Sequence, residues 1–306
     1  MIQRKNEHWF SMLFIWKGSV LPQLLPRLLM LFLMSVGIVW LKGTLFHFKI
    51  PLSPAPFTLF GIALALFLGF RNNASYDRFW EARKLWGALL NDTRSLARQA
   101  ITFSGYHRDG KEVDTFLRYL IAFTYALKHQ LRGTDADEDL RERLDPTLAK
   151  RLSTVIYKPI MLMKEMGLWV QQAKENGKID TILQSAFDEN LNKLSDIVGG
   201  CERIASTPIP YTYHILLHRT VYIYCFLLPF GFVDSLSWLT PFIVIFIAYT
   251  FVALEAIADE IEEPFGTAPN DLALNAMAKM IETTLLEMGG KHLPDYGKKS
   301  INEILD

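Results

Sequence analysis

Residues 59–87 read LFGIALALFLGF followed at once by RNNASYDRFWEARKLWG. An uncharged, small-residue-rich segment ends at Phe70, and a polar, arginine-bearing helix continues it into water. Ile62, Leu66 and Phe70 recur every four residues, so a helix sets them in one stripe of large apolar side chains. Ala63, Ala65 and Gly69 lie between them, and small residues let neighbouring helices approach closely. The stripe reads either as the lining of a pore or as ordinary helix packing, and periodicity alone favours packing.

Working outward, the chain has 306 residues, half of them hydrophobic, yet 21% are charged. That mixture suits neither a plain soluble enzyme nor a chain wholly inside lipid. The 32 basic and 32 acidic residues cancel, and nothing in the sequence points to the basic face that nucleic-acid binding needs. The two cysteines, Cys201 and Cys225, have no metal-ligand spacing and make no disulfide framework; Cys225 reads as a packing residue.

Four apolar stretches stand out, at 28–41, 50–70, 220–233 and 235–254. Extended through their flanks, they predict membrane helices near 24–46, 54–72, 213–233 and 236–256, paired as two hairpins with outer turns near 42–55 and 229–240. Arg4, Lys5, Lys17 and Arg27 precede the first span, and Arg71, Arg78, Arg83 and Lys84 follow the second. Only Lys42 and Lys49 fall in the outer turns, so the positive-inside rule puts both termini in the cytoplasm. The interrupted apolar patch 9–16 lacks a cleavage site and predicts an interfacial amphipathic helix.

The segments 73–212 and 257–306 are soluble in character and helical in pattern. Breaks are expected at Gly133, Pro146 and Gly177, and an end to the helix of 179–198 at Gly199-Gly200. The acidic run Asp135, Asp137, Glu138, Asp139 predicts a solvated loop or helix start; it lacks the spacing and glycine of an EF-hand. Asp271 is placed to cap a last helix carrying Leu274, Met277, Ile281, Leu285 and Met288 on one face, ended by Gly289-Gly290. Strand signals are nearly absent. The expectation is an all-α membrane protein with four transmembrane helices and a cytosolic helical bundle.

Chemistry-bearing clusters are few. Asp259, Glu260, Glu262 and Glu263 follow the fourth span, with Glu255 one turn earlier. His214 and His218 share a helix face. Neither the Glu-x-x-His pairs of a di-metal bundle nor H-E-x-x-H accompanies them. Glu255 interrupts an apolar helix; it reads either as facing a water-filled cavity or as pairing with Arg71, Arg78 or Arg219, and pairing is the expectation.

Five motifs in order resemble one family. WKGS at 16–19, FLGF at 67–70 followed by RFW at 78–80, DTILQS at 180–185, TPIPYTY at 207–213 and EPFG at 263–266 are similar to those of the bestrophin channels, in particular their bacterial homologues. The resemblance covers nearly the whole chain and implies one channel domain over 1–306. It implies a homopentamer with a single ion path through the bacterial inner membrane. It sets the neck at Ile62, Leu66 and Phe70, and a cytosolic aperture at Ile182, or Ile179 if the alignment slips. With it, the pore reading of the stripe overtakes the packing one.

The implied partners are further copies of the chain, permeant monovalent ions and membrane lipid; no cofactor or bound metal is implied. Chloride conduction follows from the family. A cation path is the alternative, because Leu66 stands where animal members carry a neck phenylalanine whose positive edge can favour anions. The acidic calcium-binding run that follows P-F-G in animal members is reduced here to Asp271, so calcium activation is not expected. The competing reading is a membrane-anchored metal-dependent enzyme using the cluster 259–263 with His214 and His218.

Overall fold

The computed structural model describes residues 10, 15–16, 18–45, 48–49 and 52–292. The interfacial helix expected at 9–16 lies largely outside them. Ten α-helices appear among the described residues: α1 Leu21–Trp40, α2 Pro54–Thr102, α3 Lys111–Arg132, α4 Asp137–Arg143, α5 Pro146–Ser153, α6 Lys158–Glu175, α7 Thr181–Ser206, α8 Tyr211–Leu236, α9 Thr240–Glu262 and α10 Leu274–Met288. A two-residue ladder, β1 Thr44–Leu45 with β2 Phe48–Lys49, is the sole pairing of strands described. The chain divides into two units.

The first unit takes residues 4–79 and 208–263. Among the described residues, three helical stretches are long and apolar enough to cross a membrane: Leu21–Trp40, Pro54–Thr102 and Tyr211–Glu262. The last is broken, because Ser237 adopts φ 48° and a 3₁₀ turn, Ser237–Leu239, separates α8 from α9. Pro229 sits buried inside α8, within the span expected at 213–233. The first helix begins at Leu21 and stops at Trp40, short of the 24–46 expected, because Lys42 (φ 52°) and Gly43 (φ 70°) turn the chain into the hairpin. Pro54 and Pro56 fall in the first turn of α2, where no intrahelical N–H bond is lost.

Leu24, Leu28 and Leu31 of α1 meet Leu64 and Leu68 of α2, Leu217, Val221 and Cys225 of α8, and Ala248, Phe251 and Val252 of α9 in one apolar core. Close approach fixes one glycine here. A Cβ on Gly231 would stand 2.4 Å from the Phe57 ring.

The second unit takes residues 80–207 with 264–306 and centres on α3, which packs against α4, α6, α7 and α10. Phe116, Trp169 and Phe187 form its aromatic heart, with Phe116 and Trp169 centroids 4.5 Å apart. Its punctuation follows side-chain chemistry. Gly133 ends α3 in the left-handed region at φ 63°, and the Asp145 carboxylate accepts from the Thr147 and Leu148 amides ahead of Pro146.

Two expectations fail in this unit. Helix α7 runs straight through Gly199-Gly200 to Ser206, because Gly200 is a packing glycine: a Cβ there would meet Leu85 at 2.9 Å. Asp271 does not cap α10; its carboxylate accepts the Ala268 N–H at 2.7 Å, closing its own turn.

The acidic run 135–139 starts α4, with Asp135 accepting the Asp137 N–H. Asp139 is drawn inward to Lys128 (2.9 Å), His129 (2.7 Å) and Arg143 (3.0 Å). Arg143 in turn forks onto Glu282, which also accepts the Tyr125 hydroxyl. This network joins α3, α4 and α10. Burial alone would push the Asp139 carboxyl up, but hydrogen bonds from His129 and Lys128 and the Lys128 and Arg143 charges hold it well below the usual carboxylate range.

A carboxyl depressed on folding stabilises the fold above its unfolded value near 4 and withdraws that stability as pH falls through it toward the folded value. Thermal unfolding in detergent should therefore move to lower temperature as pH drops below about 4. Asp139→Asn should flatten that dependence while lowering stability at pH 7; an unchanged acid slope would remove Asp139 from this role.

Candidate functional site

Helix α2 is held by one narrow arc. Phe57, Leu64, Leu68, Arg71 and Ser75 are buried. At about 100° per residue they fall within roughly 60° of one another on the helix. Ile62 (66% exposed), Leu66 (56%) and Phe70 (58%) lie on the opposite side. The neighbours of α2 in this unit thus take one side of it and leave the apolar stripe uncovered. No polar side chain interrupts the stripe between Ile62 and Phe70.

Immediately after Phe70 the buried arc turns ionic. The Arg71 side chain is fully buried, and its Nη2 bonds Asp259, stands 3.6 Å from Glu262 and meets His214 Nδ1 at 2.7 Å. Asn72 Nδ2 donates to the Leu68 and Leu254 carbonyls, and Arg78 Nε donates to the Glu262 carbonyl. Glu262 also accepts the Ile209 N–H at 3.0 Å. The stretch of α2 that follows the apolar stripe is thereby clamped to α9 and to the start of α8.

One turn further along, buried Glu255 bonds His218 Nδ1 at 2.7 Å, not the arginine expected for it. The reason is register. Helices α8 and α9 fold back on each other, so His214 and His218, four apart, meet Asp259 and Glu255, also four apart. Arg71 is already engaged at Asp259. Tyr211, His214 and His218 stack along α8 and Tyr222 follows with its ring tilted by 43°, successive centroids lying 6.2, 6.1 and 4.5 Å apart; Arg27 of α1 donates to the Tyr222 hydroxyl at 2.8 Å. Matched i, i+4 pairs of opposite chemistry on consecutive helices were the sequence signal for this arrangement.

The same geometry bears on the metal reading. Asp259 and Glu262 share the Arg71 guanidinium, which supplies the positive charge a cation would otherwise bring. Among the described residues no group of three or more histidine, cysteine or acidic side chains is arranged to hold a metal ion.

In the second unit, Ile182 is the second residue of α7 and projects with 78% of its surface exposed. Asp180 fixes it there by capping the helix, accepting the Leu183 N–H at 2.8 Å. Ile179 is buried at 5% exposure, so of the two aperture candidates Ile182 alone offers its side chain outward.

Compared with known proteins, residues 1–287 match the family described as bacterial/fungal bestrophin protein. A voltage-dependent anion channel-forming protein of Ralstonia nicotianae, RSc3414, is 51% identical over 305 residues, covering 98% of this chain and 97% of that one. The Escherichia coli K12 protein of the same description, YneE, is 42% identical, covering 96% of this chain and 98% of that one. The crystal structure of a bacterial bestrophin homologue from Klebsiella pneumoniae is 43% identical with a TM-score of 0.85, over 88% of this chain and 99% of that one.

The clamp makes a direct prediction. Arg71→Met leaves Asp259 and Glu262 facing each other uncompensated and should cost about 3 kcal/mol of stability. Arg71→Lys should recover part of this, since an ammonium restores the charge without the fork. Unfolding in detergent micelles measures both; a loss under about 1 kcal/mol in the methionine variant would mean the cluster holds nothing together.

Proposed function

The chain belongs to the bacterial and fungal bestrophin family, and on that premise we propose that it is an ion channel of the bacterial inner membrane. The whole chain, 1–306, acts as one channel subunit with both termini in the cytoplasm. Helix α1, the first half of α2, α8 and α9 are its four membrane spans, and the second unit is its cytosolic bundle. Five copies surround one path for monovalent ions. The relatives' names support including chloride among them.

The observation that carries this reading is the uncovered stripe. A helix segment buried along one arc exposes Ile62, Leu66 and Phe70 along the other. A surface of that kind in a fivefold ring makes three stacked apolar constrictions. Such constrictions gate by excluding water, because they offer nothing to replace an ion's hydration shell. Exposed Ile182 supports a second, cytosolic ring built from one side chain per subunit. The enzyme reading loses Asp259 and Glu262, two of its proposed metal ligands, to Arg71.

Replacing Ile62, Leu66 and Phe70 together by alanine should raise ion flux through proteoliposomes severalfold; unchanged flux would mean that these side chains do not line the path. Ile182→Ala should relax discrimination between small and large permeant ions of one sign, read from bi-ionic reversal potentials. A change of sign preference alone would count against the aperture.

A further inference from the structure

The neck has no charge with which to choose between cations and anions, so the choice falls to the groups that continue its face. Taking about 100° per residue, Ile62, Leu66 and Phe70 lie at roughly 0°, 40° and 80° around α2, and Asn73 and Asp77 fall at roughly 20° and 60°, inside the same arc. The buried residues Leu64, Leu68, Arg71 and Ser75 lie between roughly 180° and 240°. Asn73 and Asp77 are both exposed.

Over residues 54–79, Asp77 is the one charged side chain exposed. The two cations of this stretch face away from the arc. Arg71 is buried against Asp259, and Arg78, half-buried, donates to the Glu262 carbonyl. Asp77 itself accepts no hydrogen bond and joins no ion pair among the described residues. Over residues 54–79, a free carboxylate in phase with the neck, beside arginines that are both turned away, leaves this face of α2 negative; the next exposed charge in the arc, Lys84, follows two turns further from the neck.

We infer that Asp77 is the charge-selecting residue of the channel, forming a carboxylate ring at the inner mouth of the neck that draws in cations and repels anions. The inference rests on the neck reading above. At about 1.5 Å per residue the ring lies roughly 10 Å beyond Phe70. That is about one Debye length at 0.1 M salt, so its field reaches the end of the neck in dilute solution and fades in concentrated salt. Low-dielectric walls strengthen such a field by confining it. Asn73, one turn nearer the neck, offers an amide oxygen to a partly dehydrated cation and carries no charge of its own.

The test is the reversal potential of the reconstituted full-length protein in a tenfold KCl gradient. Asp77→Asn, nearly isosteric, should lower the potassium-to-chloride permeability ratio at least threefold, and Asp77→Lys should carry the reversal potential to the chloride side. The difference between wild type and Asp77→Asn should shrink when both solutions are raised toward 1 M, where the Debye length is about 3 Å. The alanine triple variant of the neck is measured beside them. Reversal potentials unmoved by both Asp77 substitutions, while the neck variant still raises flux, would overturn the role of Asp77 and leave the neck standing. An inert neck variant would overturn the neck reading itself, and with it this one.

Discussion

A buried arginine within α2, next after Phe70, is the constraint on which the rest of the first unit depends. A guanidinium placed among apolar helices requires carboxylates close by. Asp259 and Glu262 of α9 meet that need, with His214 of α8 beside them. This sets the rotation of α2 about its own axis. With Arg71 inward, Leu64 and Leu68 are carried inward as well, and Ile62, Leu66 and Phe70 are left pointing away from the helices that cover α2. The exposure of the apolar stripe is thus a consequence of where one charge has to go.

The hydrophobic and ionic halves of α2 have separate roles in the proposed channel. Above Arg71 the exposed face is apolar and regulates whether water and ions pass. Below it the exposed face becomes polar at Asn73 and acidic at Asp77, and can act on the sign of what passes. The ion cluster divides the two without facing the path. The column of Tyr211, His214, His218 and Tyr222 extends the same clamp along α8, each imidazole held by a carboxylate of α9. In the second unit a comparable network around Arg143, Asp139 and Glu282 fastens α10 to α3 and α4. Both units use buried charge between helices distant in sequence, where apolar contacts alone would leave rotation about each helix axis weakly specified.

Much of the helical layout was legible because the physics is local. Proline at 54 and 56, glycine at 133 and aspartate at 145 act on their own backbone within a turn, and the elements begin or end beside them. Two of the three failures share a cause, a partner far off along the chain, and the third is a choice between neighbouring turns. Gly199-Gly200 looks like a helix end, yet Gly200 is there to admit Leu85, more than a hundred residues earlier in the chain. Asp271 looks like a cap, yet it bonds the turn before it. Glu255 looks like an arginine partner, yet the folding back of α9 on α8 hands it His218.

By itself, then, the amino-acid sequence determined the helical class, the apolar segments, the family and the stripe at Ile62, Leu66 and Phe70. Each of these is a matter of periodicity, composition or order along the chain. Only the tertiary structure decided which side of α2 is covered, that Ile182 rather than Ile179 projects, and that Asp259 and Glu262 face an arginine instead of a metal. A helical period states which residues share a face, but which face is turned inward depends on the partners that other helices bring to it.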